Sequence, residues 1–276
     1  MPSAPVSAQQ RKLARRRHMP RAVCSVLSRL DGSWREIELF MRDHTLGLHE
    51  TLDRVRQNRL SLARFGDGEL LLSLSPDASI SFQRGSSALQ ADLQTLLRRD
   101  GYEDAPLLVC LPTLSARYYH SYWAKFWPLL KPQLDLSYSY GDTSVSRETL
   151  FLLDPEKGRM AWRSLWDGRD VCFVIGQGSR FEPIPALFDG IASSRTIHSL
   201  PTDAYVDMAR VLDEIVTTIP RETIVLLALG PTATLLAARL SRLGYWALDI
   251  GHIASTYRTV VHGAPRVETT PLVTGG

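Results

Sequence analysis

The spacing of apolar and polar positions changes several times along the chain. Trp34 to Asn58 carries Ile37, Leu39, Phe40, Leu46, Leu48, Leu52 and Val55 at helical intervals, which predicts one or two packing helices. A short apolar run then opens at Ser61 and stops at Gly66, as a strand ending in polar residues does. Ser79 to Gln83 is a short β-like piece, Ser87 to Arg98 an amphipathic helix, and Pro106 to Leu111 (PLLVCL) a continuous apolar run that reads as a buried strand closed by Pro112. Arg117 to Trp127 is an aromatic-rich helical stretch, fit for core packing or for stacking on a sugar or base.

From Asp170 the alternation becomes regular. Val171–Ile175, Thr196–Ser199, Thr223–Leu229 and Tyr245–Ile250 read as strands, with helices near Asp203–Val216 and from Gly230 to about Leu243. Strands alternating with helices predict an α/β fold, a Rossmann-like parallel sheet with helices on both faces. Ligands of such sheets gather at the carboxyl ends of the strands. Asp67, Ser179, Gly230, Asp249 and His252 would all lie there.

Composition narrows the class. The chain has 276 residues, 44% apolar and 22% charged, with a net charge of +3, so it is an ordinary globular sequence whose body is not built for nucleic acid. No apolar run reaches the ~18 residues of a membrane span. Arg11, Lys12, Arg15, Arg16, Arg17, His18 and Arg21 form a basic segment without an acidic residue. Ala22 to Leu30, broken by serines and Arg29, is too short and interrupted for an export signal. The expected organisation is a poorly ordered basic arm over residues 1–33, a single domain over 34–262 and a loose tail over 263–276. The arm suits a solvated tail or a contact with the anionic inner face of a membrane. Cys24, Cys110 and Cys172 are widely separated and lack CxxC spacing, so they read as buried thiols of a cytoplasmic protein.

The chemistry concentrates in Arg64-Phe65-Gly66-Asp67-Gly68-Glu69. Gly66 and Gly68 let the backbone turn and approach a ligand, and Asp67 and Glu69 offer hard oxygen ligands two residues apart. Arg64 offers a planar fork for phosphate. The plainer alternative is a turn in which Asp67 caps the following helix. Gly230-Pro231-Thr232-Ala233 places a turn, a helix-starting proline and a hydroxyl beside free helix N–H groups, as an anion cradle or an ordinary strand-to-helix turn. It lacks the Lys-Ser/Thr of a P-loop. Gly176-Gln177-Gly178-Ser179-Arg180-Phe181 opens like a dinucleotide fingerprint but has Phe181 at its third glycine, and neither GxSxG around Ser179 nor HExxH is present. Asp249 and His252 end the last strand, and Ser146-Arg147 lies in a turn rich in hydroxyls. Together these suit a metal-bound nucleoside diphosphate better than any one motif does.

The ordered motifs RFGDGE (64–69), Ser146-Arg147, Trp166–Val171, Ser179-Arg180, Gly230–Thr234 (GPTAT) and Asp249–His252 (DIGH) resemble the GT-D-type glycosyltransferases, from about Leu60 to Tyr257. The resemblance implies a Rossmann-like fold and transfer of a sugar from a nucleoside-diphosphate donor, commonly UDP-linked, to a glycan, glycoprotein or lipid-linked acceptor. It further implies a divalent cation, Mn2+ or Mg2+, held by Asp67 and Glu69. By the same carry-over Asp67, Glu69 and His252 are catalytic candidates, and Arg64, Gly66, Gly68, Arg147, Ser179, Arg180, Gly230, Pro231, Thr232 and Asp249 are donor-site candidates. Two departures stand out. Ile175 occupies the family's acidic position before Gly176, and Ile253–Arg258 replaces an acidic run after the DIGH. Those departures leave a non-catalytic subunit that binds nucleotide-sugar or glycan as the alternative.

Overall fold

In the computed structural model, which describes residues 19–265, three helices lead into the sheet: α1 (Arg21–Leu30), α2 (Ser33–His44) and α3 (Leu48–Asn58). Strand β1 (Ser61–Arg64) is followed by α4 (Asp67–Leu74), a small antiparallel hairpin of β2 (Ser79–Ile80) and β3 (Gln83–Arg84), and α5 (Ser87–Arg98). Next come β4 (Leu107–Leu111), α6 (Arg117–Leu130), β5 (Gly141–Asp142), α7 (Glu148–Leu153) and α8 (Pro155–Trp166). The second half runs β6 (Asp170–Gly176), α9 (Pro185–Phe188), β7 (Ser193–Ser199), α10 (Met208–Thr218), β8 (Ile224–Ala228), α11 (Pro231–Arg242), β9 (Ala247–Asp249) and α12 (Ile253–His262).

Seven strands form one parallel sheet in the order β5-β4-β1-β9-β8-β6-β7. Period-two alternation fills both faces. Leu107, Val109 and Leu111 point to the layer of α2, α5, α6, α10 and α11, where Ile37, Leu93, Trp123, Val211 and Leu236 are buried. Leu108 and Cys110 point the other way, to Leu52 of α3, Phe151 of α7, Trp162 of α8, Phe188 of α9 and Tyr257 of α12. The first half of the chain builds outward from β1 to β5, and the second half returns inward to close β9 against β1. The last strand, with its Asp249–His252 end, therefore meets RFGDGE in the middle of the sheet.

The structure differs from the expected arm over its last part. Residues 21–30 are helical and pack on α6, with Cys24 and Ser28 buried. The serines that interrupt the apolar run fit within this helix, the Ser25 and Ser28 hydroxyls donating to the carbonyls of Arg21 and Ser25, each at 3.0 Å. Residues 1–18 of the arm and 266–276 of the tail lie outside the described residues. Cys24, Cys110 and Cys172 are buried thiols, and no described helix is long and apolar enough to cross a membrane.

Candidate active site

Two cavities open at the carboxyl edge of the sheet. The first, about 420 Å3, is lined by Arg64, Gly66 and Glu69 after β1, by residues 176–181 after β6, and by Leu200, Pro201, Thr202 and Ala204 after β7. Ala228, Leu229 and Gly230 close it at β8, and Asp249, Gly251, His252 and Ser255 at β9 and α12. The second, about 440 Å3, is lined by Asp67, Gly68, Glu69, Ile80, Phe82, Ala116, Tyr119, Ser144, Arg147, Glu148, Thr149, His252, Thr256 and Thr259. Glu69, Phe82, Tyr119, Arg147 and His252 line both.

Under the first cavity, Arg64 is locked into the protein. Its Nη2 donates to Asp249 Oδ1 at 2.7 Å and its Nε to the Asp249 carbonyl at 2.7 Å, while Nη1 donates to Ser146 Oγ at 2.6 Å and the Thr143 carbonyl at 3.3 Å. Both side chains are under 10% exposed. The planar fork thus ties the end of β1 to the end of β9 and to the turn after β5. Thr234 of α11 adds its hydroxyl to the Arg64 carbonyl at 2.9 Å. Gly251 closes the loop with φ +48°, and a Cβ there would run into the Arg64 guanidinium, so glycine is required on both counts.

Helix α4 begins at Asp67, and its cap is made by Glu69 rather than Asp67. The Glu69 carboxylate accepts the Gly66 N–H at 2.8 Å, the glutamate half of a capping box. Burial pushes the Glu69 carboxyl above its ordinary value, with the Asp249 charge adding to the rise and backbone N–H bonds and Arg64 opposing it. Asp67 accepts the Tyr118 hydroxyl on Oδ2 at 2.9 Å, and the Tyr122 hydroxyl donates to the Asp67 carbonyl at 3.1 Å.

Among the described residues no three His, Cys, Asp or Glu side chains converge as a protein-only metal site. Asp67 and Glu69 nevertheless face one cavity. Two carboxylates fit a hard cation that takes its remaining ligands from phosphate and water, which is the habit of Mg2+.

Of the remaining sequence candidates, Gly66, Ser179, Arg180, Gly230 and Asp249 line the first cavity, Gly68 the second, and Arg147 and His252 both. Pro231 and Thr232 line neither. They start α11 beneath the first cavity, where the buried Thr232 hydroxyl has no hydrogen-bond partner among the described residues. At Gly230, φ is +55° and an added Cβ would strike the Phe82 ring, so the glycine lets the hairpin lean over the cavity. Phe181 packs its ring 5.6 Å from Phe173 and 6.0 Å from Phe188, which accounts for an aromatic where a dinucleotide fingerprint has glycine.

Sequence reasoning missed Phe82 and Glu148, and it weighed Tyr118 and Tyr119 only as members of the aromatic stretch, as core or as a stacking platform, without singling them out. Phe82 is delivered by the β2–β3 hairpin, which is tied down by the Asp203 N–H donating to the Phe82 carbonyl at 2.8 Å and the Arg84 N–H donating to the Asp203 carboxylate at 2.7 Å. Most of the aromatic stretch is core, as its helical spacing suggests: Tyr122, Trp123, Phe126 and Trp127 are buried. Tyr118 and Tyr119 are the members that turn to the site. They stand in the first turn of α6, the end nearest the carboxyl edge of the sheet, and that position separates them from the rest.

The comparisons agree with this geometry. The model of the glycosyltransferase GT-D fold matches residues 62–271. The chain is 31% identical over 233 residues to glycosyltransferase GlyD of Streptococcus pneumoniae serotype 4, and 31% identical over 231 residues to the probable glycosyl transferase Gly of Streptococcus gordonii. These alignments cover 79% of this chain but only 28% and 33% of those proteins, so the chain spans about a third or less of their length. A solved structure described as the highly conserved domain of unknown function 1792 with a distinct glycosyltransferase fold superposes with a TM-score of 0.73 at 27% identity, covering 83% of this chain and 86% of that one. Another, a new glycosyltransferase of the same domain from Streptococcus sanguinis, gives 0.70 at 28% identity, over 80% of this chain and 85% of its own. With the matched region reaching from β1 past α12, and the motif residues meeting at one sheet edge, the chain belongs to the glycosyltransferase GT-D fold family.

Proposed function

We propose that this chain transfers a sugar from a nucleoside-diphosphate donor, UDP-linked as the family resemblance implies, to a glycan or glycoconjugate acceptor. The observation that carries the reading is the pair of cavities sharing a wall of Glu69, Phe82, Tyr119, Arg147 and His252. Transfer needs two ligands whose reacting atoms meet, and a shared wall gives that meeting place.

The donor belongs in the first cavity, where Arg180 offers positive charge, Ser179 a hydroxyl, and the turns at Gly178 and Gly230 a close approach of the backbone to a diphosphate. The acceptor belongs in the second, whose Ser144, Thr149, Thr256 and Thr259 hydroxyls and Phe82 and Tyr119 rings suit a neutral saccharide. Asp67 and Glu69 would hold a divalent cation, Mn2+ or Mg2+, which when bound offsets the charge of the departing diphosphate. As the anomeric C–O bond to diphosphate breaks and the acceptor oxygen bonds to that carbon, Arg147 stabilises the leaving oxygens. His252, at the junction, is placed to take the acceptor proton.

Calorimetric titration with nucleoside diphosphates, with and without Mn2+, beside Asp67→Ala, tests the reading. Metal-dependent binding lost in the variant supports it; a folded protein that binds none of them refutes it. The absence of an acidic residue in the first turn of α12 favours a second reading, a subunit that binds donor or glycan without turnover. Donor binding without transfer across an acceptor panel would select that one.

A further inference from the structure

The family match starts at residue 62, yet helix α1 reaches into the site. Arg21, its first residue, donates Nη2 to the Tyr118 hydroxyl at 2.8 Å, and its guanidinium carbon lies 4.6 Å from the Tyr118 ring centroid and 5.4 Å from that of Tyr122. Tyr118 in turn donates its hydroxyl hydrogen bond to Asp67 Oδ2 at 2.9 Å, and the Tyr122 hydroxyl donates to the Asp67 carbonyl at 3.1 Å. A chain of cation, phenol and carboxylate results, in which each hydrogen bond polarises the next.

We propose that α1 is a working part of the cation site, with Arg21 and Tyr118 as positioning residues for the Asp67 carboxylate. They hold it, on the second cavity's side, toward a cation shared with Glu69 at the wall where the cavities meet and the donor diphosphate arrives. The inference rests on the reading of Asp67 given above. Asp67 is the first residue of α4 and only half-buried, and the Tyr118 hydroxyl is the hydrogen bond on its Oδ2, so losing the phenol removes a contact that selects the carboxylate's rotamer. Groups that orient a metal-binding carboxylate in this way are worth about 10–100-fold in metal affinity. Arg21 contributes by fixing the phenol: its stacking on two rings orients Tyr118, and its N–H occupies the hydroxyl's acceptor side, leaving the proton for Asp67.

The test is Mn2+ affinity of the full chain, read from the EPR signal of free ion in the presence of nucleoside diphosphate, beside thermal melts. Tyr118→Phe and Arg21→Ala are expected to weaken Mn2+ about tenfold or more while the melts stay close to wild type. Arg21→Lys, which keeps a donor and a cation over the rings, restores part of the loss, and Arg29→Ala on the same helix changes nothing. Wild-type affinity in both Tyr118→Phe and Arg21→Ala, alongside lost Mn2+ affinity in Asp67→Ala, overturns this inference alone. Wild-type affinity in Asp67→Ala as well sinks the reading of the carboxylate on which it rests.

Discussion

Replacing Arg64 by alanine separates a residue that builds the site from one that touches ligand. The substitution removes the bonds to Asp249, Ser146 and Thr143, and leaves the buried Asp249 carboxylate with the Gly251 N–H at 3.1 Å and the Thr234 hydroxyl at 3.4 Å. Stranding one member of a buried ion pair costs about 3–5 kcal/mol. Unfolding entropy near 2.1 cal/mol/K per residue gives about 0.6 kcal/mol/K for a chain of this length, so Tm should fall by about 5–9 °C. Urea denaturation and thermal melts measure this directly. Arg64→Lys keeps the charge without the fork and should fall between the two. Pairing Arg64→Met with Asp249→Leu should recover most of the loss, since an apolar pair carries no stranded charge. Wild-type stability in Arg64→Ala together with lost nucleotide binding would refute the reasoning, showing that the guanidinium serves the ligand and not the fold.

Three further outcomes are expected. Glu69→Gln retains an oxygen for the Gly66 N–H but not the charge, so stability should stay within about 1 kcal/mol of wild type while Mn2+ affinity falls; a large loss of stability in melts would contradict the capping role. Gly230→Ala forces a left-handed residue and displaces Phe82, which should cost about 1–3 kcal/mol and weaken donor binding in calorimetry; unchanged values in both would show that the hairpin does not need that glycine. Burial holds the Asp142 carboxyl above its ordinary range despite bonds from the Ser144 N–H and the Thr113 and Ser115 hydroxyls. The folded state therefore keeps that proton to higher pH than the unfolded chain. Its contribution is full below the unfolded value of about 3.9 and is lost as pH rises through the raised native value. The stability of wild type relative to Asp142→Asn should decline across that window, and a pH-independent difference in urea melts would count against it.

Much of this architecture was legible in single segments. PLLVCL reads as a buried strand and forms one, with Leu107–Leu111 all buried, and Ser87–Arg98 forms the helix that its spacing indicates. The turn-rich stretch near Gly141 concealed the edge strand β5, because two residues are too few to show a period. Ile253–Arg258, which departs from the family's acidic run, is helical and packs Ile253, Ala254 and Tyr257 against the sheet.

The site divides in the same way. Local sequence was enough for the glycine turns, the carboxylates of RFGDGE and their place at strand ends, because backbone freedom and ligand chemistry are properties of a few consecutive residues. Partnerships across the sheet were not. Arg64 has the chemistry of a phosphate ligand, and only the strand order, which sets β9 beside β1, decides that its fork meets Asp249 instead. Tyr118 is one aromatic in a core helix until Asp67 and Arg21 arrive on either side of it. A sequence specifies what each side chain can bond to; which partner it reaches is fixed by the packing of segments far apart in the chain, because the burial of their apolar faces, not the polar groups themselves, sets the strand order and so the neighbours.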